Sequence, residues 1–212
     1  MKRADVLRLF TAALPSVVLL VACLLPASSA RTADTLEALR VKAEKVLTLS
    51  ADFVQETSIP MFAQPVRSHG RFVFKRPHSL RWEYTDPVHE GFVLNGDAGF
   101  RWDGDSGARK PFAAGSDPMA AVVVGQMIAW ISFDLESISR EYAVESLPGR
   151  EIRLQMTPLR DDVKGVIKAV VITFTPEGPA SLVEIKEAGG GGTVIRFGKT
   201  VVNGPRDGRE FE

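Results

Sequence analysis

Short runs of alternating apolar and polar side chains restrict the fold of this chain more than any other feature. They lie between residues 70 and 102, and a period of two places the apolar side chains on one face of a β-strand. Asn95-Gly96 and Asp103-Gly104 are typical of β-hairpin turns, which join antiparallel strands. The pattern predicts antiparallel strands that carry Phe72 and Phe74, then Leu80, Trp82 and Tyr84, then Phe100 and Trp102.

One amphipathic helix is predicted before these strands, over residues 34–48. Asp34 and Glu37 have the spacing of a capping box, and apolar residues then recur at helical intervals from Leu36 to Leu47. Further strands are predicted in the segments "EIRLQM", "IKAVVITF", "SLVEIKE" and "TVIRF", which Gly- and Pro-bearing turns connect.

A second helix is predicted where the alternation stops. Asp117-Pro118 is typical of a helix start, and no charged residue occurs from Pro118 to Phe133. A helix that is apolar on all sides is normally buried, so this one is expected to fill a core or cover a cavity. The order of elements favours one domain, mainly β with α, built as a strongly curved antiparallel sheet whose concave face holds the helices.

The N-terminal segment has the features of an export sequence. Basic residues precede an uncharged run from Leu9 to Ala30, which ends in small residues suited to cleavage after Ala30. We predict a signal peptide at residues 1–30 and a single domain at residues 31–212. Cys23, the single cysteine, follows Leu20-Val21-Ala22 as in a bacterial lipobox, so two alternatives stand: a lipid anchor at Cys23, or a cysteine of the signal peptide.

Several functions are disfavoured by composition and motif context. Equal numbers of basic and acidic residues, 26 each, argue against nucleic-acid binding. The "GDSG" at residues 104–107 has no histidine in a protease setting, and the "GKT" at residues 198–200 follows a strand rather than opening a helix. The three histidines lack metal-ligand spacing. We therefore expect neither an enzyme nor a metal or other cofactor.

An excess of large apolar side chains remains to be explained. They form either a plain core or an apolar cavity, which is the usual form of a lipid site. The candidate cavity residues are Phe72, Phe74, Leu80, Trp82, Tyr84, Phe92, Leu94, Phe100, Trp102, Met119, Val123, Met127 and Ile128.

These segments together resemble the LolA family of periplasmic outer-membrane lipoprotein carriers. The resemblance rests on Phe53 to Gln55, the strand from Gly70 to Pro77 with its Lys-Arg-Pro end, and the Arg-Trp-Glu-Tyr strand that follows. The C-terminal segment "VEIKEAGGGGTVIRFGKTVVN" is also similar to the family's last hairpin. The resemblance implies an incomplete, half-open antiparallel β-barrel with an N-terminal helix and an apolar lid helix over its concave face.

The resemblance also implies a function. The protein is expected to be a periplasmic carrier of a Gram-negative bacterium that binds lipoprotein acyl chains and ferries them from the inner to the outer membrane. Its implied partners are an inner-membrane ABC-type lipoprotein-releasing complex and an outer-membrane receptor, and we expect a monomer. The family's lid-contacting arginine corresponds by motif to Arg76, which a period of two places on the face of Phe72 and Phe74.

Two alternatives stay within the same fold. One is a carrier of another lipid or glycolipid, and the other is a membrane-anchored acceptor similar to LolB. A structural or signalling domain whose groove binds no lipid is an alternative of another class.

Overall fold

All strands of the described residues belong to one antiparallel sheet of eleven strands. The computed structural model describes residues 27–96, 98–104, 108–113, 128–131 and 134–212. The strands are β1 Thr48–Ser58, β2 Val66–Lys75, β3 Ser79–Asp86, β4 Glu90–Asn95, β5 Ala98–Trp102, β6 Arg109–Ala113, β7 Tyr142–Leu147, β8 Ile152–Pro158, β9 Ile167–Phe174, β10 Ala180–Glu187 and β11 Gly192–Val202. The helices are α1 Ala27–Glu44, α2 Leu135–Glu141 and α3 Asp161–Lys164, and a 3-10 helix spans Gly208–Phe211.

Two meanders meet in the middle of this sheet. The spatial order is β6-β5-β4-β3-β2-β1-β11-β10-β9-β8-β7, so the first and last strands pair at the centre. The prediction of a mainly β fold with an open antiparallel sheet is confirmed, and the sheet is not closed into a barrel. Within the described residues, no helix is long and apolar enough to span a membrane.

Helix α1 differs from its prediction at both ends. It begins at Ala27, across the predicted cleavage point, and it ends at Glu44 rather than at residue 48. Its last turn is tightened by hydrogen bonds that span three residues instead of four: the Lys45 N–H donates to the Lys42 carbonyl, and the Val46 N–H donates to the Ala43 carbonyl. The helical spacing of apolar residues continues to Leu47 in the sequence. The residues from Thr48 onward are not helical, because they pair with β2 and β11 as strand β1.

The face of the sheet that bears Phe72 and Phe74 carries two clusters, and we call it the front face. The aromatic cluster lies mainly on β1 to β4 and consists of Val46, Leu49, Ala51, Phe53, Phe72, Phe74, Leu80, Trp82 and Leu94. The α2 cluster lies on β7 to β10 and the helices, and consists of Leu39, Ala129, Ile138, Tyr142, Leu154, Met156, Val170, Ile172, Phe174 and Val183. Ile195 and Phe197 of β11 pack against both, so the apolar layer is continuous across the front face.

The opposite face, here the rear face, carries a small cluster of its own. Val73, Val93 and Phe211 are buried there, and Phe100 and Trp102 pack against them. Phe211 comes from the 3-10 helix, so the C-terminal segment covers this side of the sheet. Its anchors include Asn203, whose side chain accepts from the Leu47 N–H at 2.7 Å and donates to the Lys45 carbonyl at 2.8 Å.

The predicted helix from Pro118 to Phe133 lies largely outside the described residues. Its described part, residues 128–131, is helical and packs on the front face: Ala129 belongs to the α2 cluster and Ile128 packs against the aromatic cluster.

Candidate functional site

The aromatic cluster is a tightly packed set of rings rather than a cavity. The Phe53 ring stacks on Trp82 with 4.2 Å between centroids, and Phe72 lies 6.0 Å from Trp82. Phe74 and Leu80 are completely buried. Gly70 makes this packing possible, because a Cβ there would lie 2.2 Å from Cζ of Phe53.

The rings are tied to polar groups at one margin of the cluster. The Tyr84 hydroxyl donates to Oε1 of Gln55 at 2.9 Å, which satisfies a phenol that is otherwise surrounded by Phe53 and Trp82. Burial raises the pKa of Tyr84, so its hydroxyl stays a neutral donor at physiological pH.

Eight of the thirteen predicted cavity residues meet on the front face. Phe72, Phe74, Leu80, Trp82 and Leu94 belong to the aromatic cluster, and Tyr84, Phe92 and Ile128 pack around it. The other predicted lid residues, Met119, Val123 and Met127, lie outside the described residues.

The prediction that Phe100 and Trp102 share this face is wrong. In the register of β4 and β5, Phe100 pairs with Val93 and Trp102 pairs with Gly91, so both rings lie on the rear face. Their front-face positions are taken by Gly99 and Arg101, which pair with Leu94 and Phe92. A Cβ at residue 99 would lie 2.0 Å from the Val93 carbonyl oxygen, so only glycine fits there.

An apolar cleft occurs in the other half of the front face, where the α2 cluster meets the helices. The space that it encloses is only about 10 Å³, which is room for little more than one water molecule. The described side chains that line it are all apolar or aromatic: Leu36, Trp130, Leu135, Ile138, Val144, Leu154, Met156, Ile172 and Phe174.

None of these lining residues is in the predicted cavity set. The alternation of Leu154 and Met156 in "EIRLQM" is visible in the sequence and places both side chains on one face. Helix α2 also has a sequence marker, since the Asp134 carboxylate caps it by accepting from the Ser137 N–H at 3.1 Å. The Ser137 hydroxyl, which donates to the same carboxylate at 2.6 Å, and then the Ser137 N–H hold the pKa of Asp134 below its usual value.

One polar group in the cleft lining lacks a partner. Nε1 of Trp130 is buried and makes no hydrogen bond, although a buried indole N–H usually finds an acceptor. The Trp130 ring packs edge-on against Tyr142 at 6.3 Å between centroids. The described lining of the cleft therefore offers hydrocarbon and ring contacts, and the indole N–H lies buried behind it.

Arg76 joins the sheet to the end of helix α1. Its Nε donates to the carbonyl of Val46 and its Nη2 to the carbonyl of Ala43, both at 2.8 Å. The backbone N–H of Arg76 also donates to the Leu47 carbonyl at 2.9 Å. These carbonyls belong to the last turn of α1 and the link to β1, where a helix leaves its acceptors unsatisfied and a cation is favourable.

The other sequence motifs have ordinary structural roles. Gly198, Lys199 and Thr200 do not open a helix; they lie within β11, which continues to Val202, past the predicted strand end. The Lys199 ammonium pairs with the Asp52 carboxylate at 3.0 Å. Asp103 pairs with Lys110 across the β5–β6 hairpin at 2.8 Å, while residues 105–107 of the "GDSG" segment lie outside the described residues. Among the described residues, no three His, Cys, Asp or Glu side chains are placed to hold a metal ion.

An open antiparallel sheet that buries one face beneath helices is also found in a solved structure. A chain in the complex of MucA and MucB from Pseudomonas aeruginosa aligns with a TM-score of 0.50 at 12% identity, over 86% of this chain and 60% of that chain. At this identity the likeness concerns the fold alone.

The sequence comparison identifies the family. The model of the outer membrane lipoprotein carrier protein LolA matches residues 44–212. A relative named outer-membrane lipoprotein carrier protein, from Chromohalobacter salexigens, is 26% identical over 188 residues, which cover 88% of this chain and 86% of the relative. Another of that name, from Leptothrix cholodnii, is 30% identical over 175 residues, covering 80% and 76%. The chain belongs to the LolA family, as the Lys-Arg-Pro and Arg-Trp-Glu-Tyr strands indicated.

Proposed function

We propose that this protein carries lipoproteins by binding their acyl chains between the front face of the sheet and its helices. The observation that carries the proposal is the cleft of the α2 cluster, whose nine described lining side chains are all apolar or aromatic. Burial of hydrocarbon in such a site is favourable by about 0.8 kcal/mol per CH₂. The relatives named as outer-membrane lipoprotein carriers support this cargo over other lipids.

When the helices move away from the sheet, the buried indole N–H of Trp130 becomes available to the same ligand. An acyl chain in ester or amide linkage has a carbonyl oxygen at its head, which is an acceptor for a buried donor. A site that is mostly apolar with a few polar groups is the usual form of a small-molecule pocket.

Loading requires the helices to move away from the sheet. The cleft is smaller than a long acyl chain needs, and the aromatic cluster beside it is already filled by its own rings. The hydrogen bonds from Arg76 to the Ala43 and Val46 carbonyls hold the end of α1 against the sheet. Charge-assisted hydrogen bonds stabilise by about 1.5–3 kcal/mol each, so burial of a few methylenes offsets their loss.

In this proposal Arg76 is a latch that keeps the empty protein closed. The carrier takes its cargo from an inner-membrane ABC-type complex, crosses the periplasm, and gives the acyl chains to an outer-membrane receptor. Binding and release are non-covalent, so no catalytic group is required.

The test fills the cleft and measures lipid binding. Val144 of β7 lines the cleft, whereas the neighbouring Ala143 is exposed. Val144→Trp is expected to weaken binding of a fluorescent acylated peptide about tenfold or more, and Ala143→Trp, which adds a large ring on the other side of β7, is the matched control. Melting curves check that both variants fold.

Three outcomes would contradict the proposal. One is binding by Val144→Trp that equals that of the native protein. Another is the absence of acyl binding by the native protein, and the third is a loss in Ala143→Trp as large as that in Val144→Trp. Native mass spectrometry of protein taken from its own periplasm separates the cargo classes, because a glycolipid and an acylated protein differ in mass.

A further inference from the structure

Exposed apolar side chains are concentrated at one rim of the sheet. Eleven large apolar residues of the described chain are exposed, and seven of them lie at the rim formed by the β1–β2, β3–β4 and β8–β9 connections. We call this the apolar rim, and its exposed members are Ile59, Met61, Phe62, Val66, Val88, Leu159 and Val166. A soluble protein that exposes such a group of side chains normally uses it for contact with another surface.

The pairing of the strands places these connections side by side. In an antiparallel sheet alternate connections lie at the same rim, and the register brings Thr57 opposite both Val66 and Thr193. Pro60 of the β1–β2 loop lies close to Gly191 of the β10–β11 turn, and the Ala188 N–H of that turn donates to the Val166 carbonyl at 2.8 Å. The rim is therefore continuous from β3 to β9.

The β1–β2 loop has the most exposed apolar side chains of this rim. No charged residue occurs between Glu56 and Arg67, while Met61 is 87% exposed and Phe62 is 58% exposed. The loop is shaped by a turn in which the Phe62 N–H donates to the Ile59 carbonyl at 2.9 Å, and Pro60 and Pro65 restrict its backbone. Two large apolar side chains are thus held in water at the tip of a defined turn.

We propose that the apolar rim inserts into the surface of a lipid bilayer. The apolar residues come from three connections spread along the sheet rather than from one compact groove, and a fluid, flat surface meets such a line of tips at once. Most basic groups beside them are paired with carboxylates: Arg160 with Asp162, Lys164 with Asp161, and Arg196 with Glu56. Glu90 and Glu187 add negative charge at the same rim, which gives anionic headgroups no advantage. Contact through this rim therefore depends on apolar insertion and not on anionic headgroups.

The rim is distinct from the latch of the proposed carrier site. Arg76 and the end of α1 lie at the opposite rim, where β2 ends and β3 begins. Docking at one rim leaves the α1 contact free to open.

Vesicle flotation with the full chain tests the rim. The native protein is expected to float with vesicles of phosphatidylcholine, equally well at low and high salt. The double variant Met61→Ser, Phe62→Ser is expected to bind about tenfold or more weakly, since each ten-fold change corresponds to only about 1.4 kcal/mol. Val201→Ser is the matched control, because Val201 is 47% exposed near the opposite rim and is expected to leave flotation unchanged.

The proposal is overturned if the native protein stays in solution, if the double variant floats like the native protein, if the control loses as much, or if salt abolishes binding. The proposal is also overturned if the rim binds a protein partner but does not bind vesicles. Binding of a fluorescent acylated peptide in solution, measured on the same variants, separates this inference from the carrier function. The rim variants are expected to keep full binding of the acylated peptide. If neither the native protein nor the variants bind the peptide, the carrier proposal is wrong, while the flotation result still tests the rim.

Discussion

The two halves of the front face are both apolar, but they are built from different side chains and packed differently. In the aromatic cluster, rings from β1, β2 and β3 stack on one another, and Phe53, Phe74 and Leu80 are almost completely buried. In the α2 cluster, aliphatic side chains of β7 to β9 face helices and leave a cleft. The large rings therefore fill their own half of the layer, and the gap in the layer occurs where smaller side chains meet the helices.

The largest effect is expected from Phe53→Ala in the aromatic cluster. This substitution leaves a cavity among Trp82, Tyr84 and Phe197, and it should lower the free energy of unfolding by about 3–5 kcal/mol. Urea unfolding measures the loss. A change below about 1 kcal/mol would mean that the rings are not closely packed, and the contrast between the two halves would disappear.

A smaller loss is expected from Leu154→Ala in the α2 cluster. Leu154 is also buried, but it borders a cleft that already exists, so the cost should fall at the lower end of the range for such substitutions, about 2–3 kcal/mol. The same unfolding experiment measures it. A loss equal to that of Phe53→Ala would show that both halves are equally filled.

Arg76→Leu tests the latch at the end of α1. Loss of the hydrogen bonds to Ala43 and Val46 should destabilise by about 1–3 kcal/mol, because those carbonyls lose a charged donor. Hydrogen exchange should become faster in the last turns of α1 while the amides of β9 stay protected. Acyl-probe association should also become faster. Unchanged exchange and association would remove Arg76 from the mechanism.

The smallest effect is expected from Trp130→Phe. The substitution removes an unpaired buried N–H, which favours stability, and part of a half-buried ring, which lowers it, so stability should change by less than about 1 kcal/mol. Binding of an acyl ester should weaken more than binding of a plain alkyl chain. A melting temperature that drops as far as that of Leu154→Ala would show that the indole N–H has a structural partner.

The sequence predicted the strands of the aromatic cluster and the helical stripe of α1, because alternation and helical spacing are local properties. Leu36, Leu39 and Ala43 do pack on the front face. Phe100 and Trp102 were misplaced because alternation fixes which residues share a face within a strand, while only the register with β4 decides which face that is.

The cleft was missed for a related reason. Leu154 and Met156 alternate as plainly as the aromatic residues, but nothing local shows that α2 and Trp130 stop short of filling the space above them. The N-terminal cap at Asp134 was a usable marker of α2. The end of α1 depended on the competition of Thr48 and the residues after it for pairing with β2 and β11.

The central claim is that acyl chains occupy the α2 half of the front face. Photo-crosslinking with an acylated peptide whose chain carries a diazirine tests it most directly. Label is predicted on the cleft residues around Leu154, Met156 and Ile138. Label confined to the rear face near Val93 and Phe211, or no label above that of a soluble control peptide, would contradict the account.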